Sequence, residues 1–128
     1  QLEAGTTASE FEFLPYDVNL ERCQRYYYIH AVTGEIIGTM WWYQDGVNST
    51  TIFFGVEMRV APSFIHTNAT NNYRVFRQGS VVDFDGFSGQ VNTSPRAVGI
   101  DSGLSGTGGY VGRVQCNSNG TIRFDAEL

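Results

Sequence analysis

The residues that could act as nucleophiles lie in two glycine-rich segments. Residues 86–89 (GFSG) and 103–106 (GLSG) each resemble part of a nucleophile elbow, but both lack its closing glycine at the required spacing. His30 or His66 is available as a base, yet nothing in the sequence orients either ring. Flexible loops and ordinary strand histidines are therefore the favoured interpretation, and we predict that the chain is not an enzyme.

Carboxylates are the second candidate for chemistry. Asp83 and Asp85 flank Phe84, so in a strand both project from the same face. Such a pair could end a calcium loop or serve glycoside hydrolysis, but the further ligands of an EF-hand pattern are missing, and a solvated strand face is favoured. The two cysteines and two histidines are scattered, without the short spacing of a zinc site. We therefore predict neither a metal nor a cofactor.

Aromatic residues give the strongest indication of binding. They make up 14% of the chain, and the runs at 26–28 (YYY) and 41–43 (WWY) place rings on both faces of their strands. Only one face of a sandwich strand enters the core, so the other rings face a subunit interface, solvent or a ligand. Aromatic platforms stack on sugar rings. The residues predicted to bind glycan are Trp41, Trp42, Tyr43, Asp45 and Tyr27.

Composition excludes several classes of protein. The chain has 128 residues, of which only 16% are charged, and its net charge is -5. This is one domain's worth of sequence, too apolar for a disordered segment and without the basic surface of a nucleic-acid binder. No apolar stretch is long enough to span a bilayer, so we predict no membrane insertion.

The elements that must position these residues are mostly β-strands. Residues 17–25 form the one predicted helix, with Asp17 as N-cap and with Val18, Leu20 and Cys23 on a face that packs inward. Strand-like runs follow at intervals of roughly 8–12 residues, separated by glycine-rich turns. This pattern predicts an all-β fold, an antiparallel, jelly-roll-like β-sandwich with one short N-terminal helix.

Two turns receive specific predictions. Asp45-Gly46 is a turn signal, but the residues after it suggest a longer loop than a two-residue hairpin. Asn119-Gly120 is predicted to close an antiparallel hairpin between a strand at 110–117 and a strand that runs from Ile122 to the last residue. In that hairpin Cys116 faces inward, and both cysteines behave as small buried hydrophobes.

Several short elements resemble the C-terminal regions of bacteriophage tail-fibre, tailspike and related virion proteins. They are QLEAG at 1–5, FE at 11–12, LERCQRYY at 20–27, Met58-Arg59 with Pro62, and DAEL at 125–128. The resemblance implies a virion location and a homotrimer. It also implies that residues 1–16 are an extended lead-in from an upstream tail-fibre domain and that 17–128 form the sandwich domain. Because a phage protein folds in a reducing cytoplasm, no disulfide is expected.

The function predicted from these observations is that of a non-enzymatic receptor-binding domain. It trimerises and attaches to host surface polysaccharide or lipopolysaccharide. Two alternatives stay open: a purely structural trimerisation or folding domain with recognition upstream, and a module attached to a polysaccharide-degrading tailspike.

Overall fold

A computed structural model describes residues 14–127, so nearly all of the predicted lead-in at residues 1–16 lies outside the described residues. The helix is α1 (Tyr16–Gln24). The strands are β1 (Tyr27–Ala31), β2 (Ile36–Gln44), β3 (Val47–Phe53), β4 (Ser63–His66), β5 (Tyr73–Arg77), β6 (Ser80–Phe84), β7 (Gly89–Val91), β8 (Ala97–Asp101), β9 (Val111–Cys116) and β10 (Ile122–Asp125).

The strands form two antiparallel sheets. One has three strands in the order β1-β10-β4, and the other has seven in the order β6-β5-β9-β2-β3-β8-β7. Alternate side chains of both sheets enter the shared core, as the period of two along a strand requires. The predicted all-β sandwich with one short N-terminal helix is confirmed.

The core is rich in aromatic rings that join the sheets. Between ring centroids, Phe124 of β10 lies 4.9 Å from Phe54, which directly follows β3 of the large sheet, and 5.6 Å from Phe64 of its neighbour β4 in the small sheet. Tyr73 of β5 donates its hydroxyl to the carbonyl oxygens of Thr67 and Thr121, at 3.0 and 2.9 Å. Thr67 follows β4 and Thr121 precedes β10, so this side chain ties the large sheet to the small one. Burial raises the pKa of Tyr73 to about 12.

The predicted closing hairpin is wrong. β9 pairs with β2 and β5 in the large sheet, whereas β10 pairs with β1 and β4 in the small sheet. The chain turns tightly before β10, where the Gly120 N–H donates to the carbonyl oxygen of Asn117 at 2.7 Å. Gly120 also lies so close to the Asn72 carbonyl that no side chain fits there. The turn thus carries the chain from one sheet to the other, because a local turn sequence does not specify which strands pair.

The second turn is also tighter than predicted. Asp45 and Gly46 alone join β2 to β3, with Gln44 opposite Val47. Gly46 supplies the left-handed backbone conformation at φ 73°. The turn is held from outside, since its Gly46 N–H donates to the Gly106 carbonyl oxygen at 2.8 Å. The connection is thus a two-residue turn supported by a distant loop, and not the longer loop that the sequence suggested.

The helix differs from its prediction in its packing. It starts at Tyr16, one residue after Pro15, so Asp17 lies in the first turn rather than at the N-cap. None of its residues is buried, and Cys23 is exposed. The inward face predicted for Cys23 is therefore wrong, because one short apolar stripe among polar residues covers too little surface to dock. Cys116 is buried as predicted, and both thiols are free.

Candidate functional site

The strand period divides the aromatic run of β2 between the two faces of the large sheet. Trp41 and Tyr43 lie on the outer face and are 46% and 50% exposed. Trp42, between them, points into the core and is 1% exposed. Its assignment to a glycan-binding surface is therefore wrong, since a ligand cannot reach its ring without opening the sandwich.

Trp42 instead organises the loop between β8 and β9. Its indole Nε1 donates to the Leu104 carbonyl oxygen at 3.2 Å, and the Arg77 guanidinium lies 4.9 Å from its ring centroid. Arg77 also donates to the Ser105 carbonyl oxygen at 2.8 Å. A side chain at Gly106 would collide with the Trp42 and Arg77 side chains. The GLSG segment is thus a packed structural loop.

Two further predicted residues lie away from the outer pair. Tyr27 belongs to β1 in the small sheet, opposite Asp125, so it is on the other side of the sandwich from Trp41. Asp45 accepts a hydrogen bond from the Gly108 N–H at 2.8 Å and anchors the β2–β3 turn. Neither residue lines the surface around Trp41 and Tyr43.

An open groove of about 540 Å³ lies beside Trp41 and Tyr43 on the outer face of the large sheet. The two ring centroids are 5.2 Å apart with the planes tilted by 53°, so together they form one apolar wall. The rest of the lining comes from neighbouring strands: Ser49 and Thr51 of β3, Ala97, Gly99 and Asp101 of β8, and Val91 and Asn92 at and just after the end of β7.

The register of the sheet brings these residues together. Trp41 lies opposite Ser49, Thr51 lies opposite Gly99, and Gly99 lies opposite Val91. Val91 leans over Gly99, with its Cγ2 only 2.8 Å from where a Cβ would be, so a larger residue at 99 would displace it. Four paired strands hold the groove, and a paired sheet fixes side-chain directions better than loops do.

Asp101 supplies the charged group of the groove. Its Oδ1 is buried and has no hydrogen-bond partner within residues 14–127. The carbonyl oxygen of Asp101 accepts hydrogen bonds from Ser88 N at 2.7 Å and from Ser88 Oγ at 2.9 Å. The strand therefore positions the carboxylate at the groove, with its Oδ1 covered by the protein.

Sequence reasoning missed Asp101, Thr51 and Asn92 as groove residues. Residues 99–112 contain six glycines, a composition typical of a loop, and this composition obscures the strand that carries Asp101. The available signal was the alternation of the large apolar residues Val98 and Ile100 with small or polar neighbours. Asn92 directly follows β7, with a φ of 49°.

The candidate nucleophiles and bases have structural partners. Ser88 donates its hydroxyl to a backbone oxygen, as described above, and His30 Nε2 donates to the Ile37 carbonyl oxygen at 2.7 Å. His66 stacks on Phe64 with centroids 4.8 Å apart, and its Nε2 accepts from the Phe87 N–H at 3.3 Å. Burial lowers the pKa of His66. These contacts give each group a role in the fold.

The paired carboxylates are also engaged. Asp83 accepts two hydrogen bonds from Arg74, at 2.6 and 2.9 Å, and these lower the pKa of Asp83 and raise that of Arg74. Asp85 accepts from the Asn71 N–H at 3.0 Å. Within residues 14–127 no group of three His, Cys, Asp or Glu side chains could hold a metal ion.

Comparison with protein-family models, with curated proteins and with solved structures finds no match to this chain. The described part of the chain contains no helix that is long and apolar enough to cross a membrane.

Proposed function

We propose that this chain is the receptor-binding C-terminal domain of a phage tail fibre or tailspike and that it binds host surface glycan in the groove beside Trp41 and Tyr43. The observation that carries the proposal is the exposed aromatic pair on a rigid sheet face, next to hydroxyl, amide and carboxylate groups. The groove's volume of about 540 Å³ is of the size used for small-molecule ligands.

The chemistry of the groove suits a sugar ring. A pyranose has an apolar C–H face, which stacks on an aromatic ring, and a rim of hydroxyl groups, which need hydrogen-bond partners. The wall made by Trp41 and Tyr43 accepts the apolar face. Thr51, Asn92 and Asp101 face the rim and offer both donors and acceptors.

The test is binding of the domain to a panel of host polysaccharides and lipopolysaccharides, with Trp41→Ala compared against Phe53→Ala. Phe53 lies on the same sheet face and is 74% exposed, but it does not line the groove. Covering the exposed half of Trp41 and stacking on it contribute about 2 kcal/mol, so Trp41→Ala should weaken binding about 30-fold. Phe53→Ala should bind like the wild type.

Equal affinity of the wild type and Trp41→Ala would contradict the proposal, as would equal losses in the two variants. If the wild type binds none of the host glycans, the purely structural alternative is favoured. Because both substitutions are at exposed positions, circular dichroism should show an unchanged fold.

The trimer in the proposal is supported by an apolar surface on the opposite sheet. On the outer face of β1-β10-β4, Ile29 and Ile65 flank Arg123 in one row across the sheet. The two isoleucines are 53% and 42% exposed. β1 of this sheet also contacts α1, which directly precedes it in the chain. We place the subunit contact there, so that the glycan groove on the large sheet points outward.

Light scattering tests the trimer. The wild type should have three times the chain mass of 14.2 kDa at micromolar concentration. Ile29→Asp should dissociate it, because the substitution replaces an apolar side chain at the contact with a carboxylate that must lose its hydration there. Val111→Asp is the matched control, since Val111 is 57% exposed on the large sheet. A monomeric wild type would refute the proposed trimer. A trimer that persists in Ile29→Asp would refute the placement of the subunit contact on this face.

A further inference from the structure

We infer that the groove selects uncharged sugar rings and discriminates against acidic ones, an inference that rests on the proposed function. Asp101 is the one ionisable side chain in the described groove lining apart from the phenol of Tyr43. Its negative charge is therefore not balanced within the groove. A ligand that carries a carboxylate or a phosphate would place a second negative charge beside it.

No described cation compensates Asp101. The two ion pairs within residues 14–127 are Arg74 with Asp83 and Arg96 with Glu57. Arg96 is adjacent to the groove residue Ala97 in sequence, but its guanidinium lies 3.0 Å from the Glu57 carboxylate. An acidic sugar thus meets no free guanidinium among the groove's described neighbours.

The other arginine on this face is also engaged. Arg113 lies on β9, opposite Thr39 of β2, and its guanidinium is 4.4 Å from the Phe76 ring centroid. The net charge of -5 adds to the effect, since the whole chain repels anionic polymers. Recognition of acidic glycans ordinarily depends on a bidentate arginine, which the described groove lacks.

The same carboxylate favours a neutral ring. Asp101 lines the groove, and an ionised carboxylate has only acceptor capacity. Sugar hydroxyls are donors and can satisfy it through charge-assisted hydrogen bonds, which are shorter and stronger than neutral ones. The hydroxyl of Thr51 and the amide of Asn92 add uncharged partners along the same groove.

The experiment compares neutral oligosaccharides of glucose, galactose and N-acetylglucosamine with oligosaccharides of the same length that contain uronic or sialic acid. At low ionic strength the wild type should bind the best neutral ligand about tenfold or more tightly than its acidic counterpart. Asp101→Asn removes the charge and keeps one acceptor. It should weaken neutral binding about tenfold and remove most of the discrimination.

Asp17→Asn is the charge-matched control, because Asp17 is exposed on α1, away from the groove. It should leave both affinity and discrimination unchanged. If acidic glycans bind as tightly as neutral ones and Trp41→Ala still weakens binding, the proposed function stands and the charge selection is refuted. If Asp17→Asn and Asp101→Asn change discrimination equally, the selection comes from net charge and not from the groove. If no glycan binds, both proposals fail.

Discussion

Replacement of Asn48 by alanine should be among the most destabilising single changes in the described sandwich. Asn48 is 1% exposed, and its side chain makes three hydrogen bonds to the loop after β8. Its Nδ2 donates to the Leu104 carbonyl oxygen at 2.9 Å. Its Oδ1 accepts from Ser102 N at 3.1 Å and from Ser102 Oγ at 2.9 Å.

The magnitude follows from what each partner retains in Asn48→Ala. The Leu104 carbonyl keeps the Trp42 indole donor at 3.2 Å, and Ser102 Oγ keeps its contact with Met40 Sδ at 3.6 Å. The Ser102 N–H has no other described partner and is left unsatisfied. Three lost hydrogen bonds at about 1 kcal/mol each, plus this penalty, lower the free energy of unfolding by about 3–4 kcal/mol. For a domain of this size the melting temperature should fall by about 10 °C.

The assay is urea unfolding in a Trp41→Phe background, in which Trp42 is the remaining tryptophan. Release of the loop should expose Trp42 and shift its emission to longer wavelength in the native state. Asn119→Ala serves as the control, because Asn119 is exposed and its loss should cost less than about 0.5 kcal/mol. A loss below about 1 kcal/mol with unchanged Trp42 emission would refute the role assigned to this side chain.

Two further predictions concern groups that burial perturbs. Cys116 is buried, and burial together with the negative charge of Glu35 raises its pKa to about 12. A thiol reagent should therefore label the exposed Cys23 at once and Cys116 only after unfolding. Rapid labelling of two thiols in the native protein would contradict this prediction. Burial lowers the pKa of His66 below its ordinary value of 6.5, so around that pH the unfolded chain binds more protons than the folded one. The free energy of unfolding should therefore decrease as the pH falls through 6.5. His66→Phe should remove this slope in urea midpoints measured between about pH 5 and 8, and a slope that persists would assign it to another group.

The closing strands show how far local patterns reach. Alternation along 110–117 puts Val114 and Cys116 on one face of β9, and both are buried, as predicted for Cys116. The same period puts Ile122 and Phe124 on one face of β10, and both are buried. The pairing of the two strands was wrong, because alternation fixes the faces of a strand but leaves its partner open.

The candidate groove shows the same division. The run of aromatic residues at 41–43 indicated a binding surface, and strict period two already assigns its middle residue to the opposite face from its neighbours. Which face is the inner one depends on the partner sheet. Asp101 lies in the groove because β8 pairs with β3. This pairing joins residues that are about fifty positions apart in the sequence.

By itself, the sequence determined the fold class, the weakly charged and acid-rich surface, the positions of most strands and the surplus of aromatic rings. These properties depend on composition and on the period of two, which are local. The tertiary structure decided which sheet each strand joins, that Trp42 is buried while Trp41 and Tyr43 are exposed, and that Asp101 stands beside them. Those outcomes depend on long-range pairing, whose free energy comes from contacts between residues far apart in the chain, so no local window contains them.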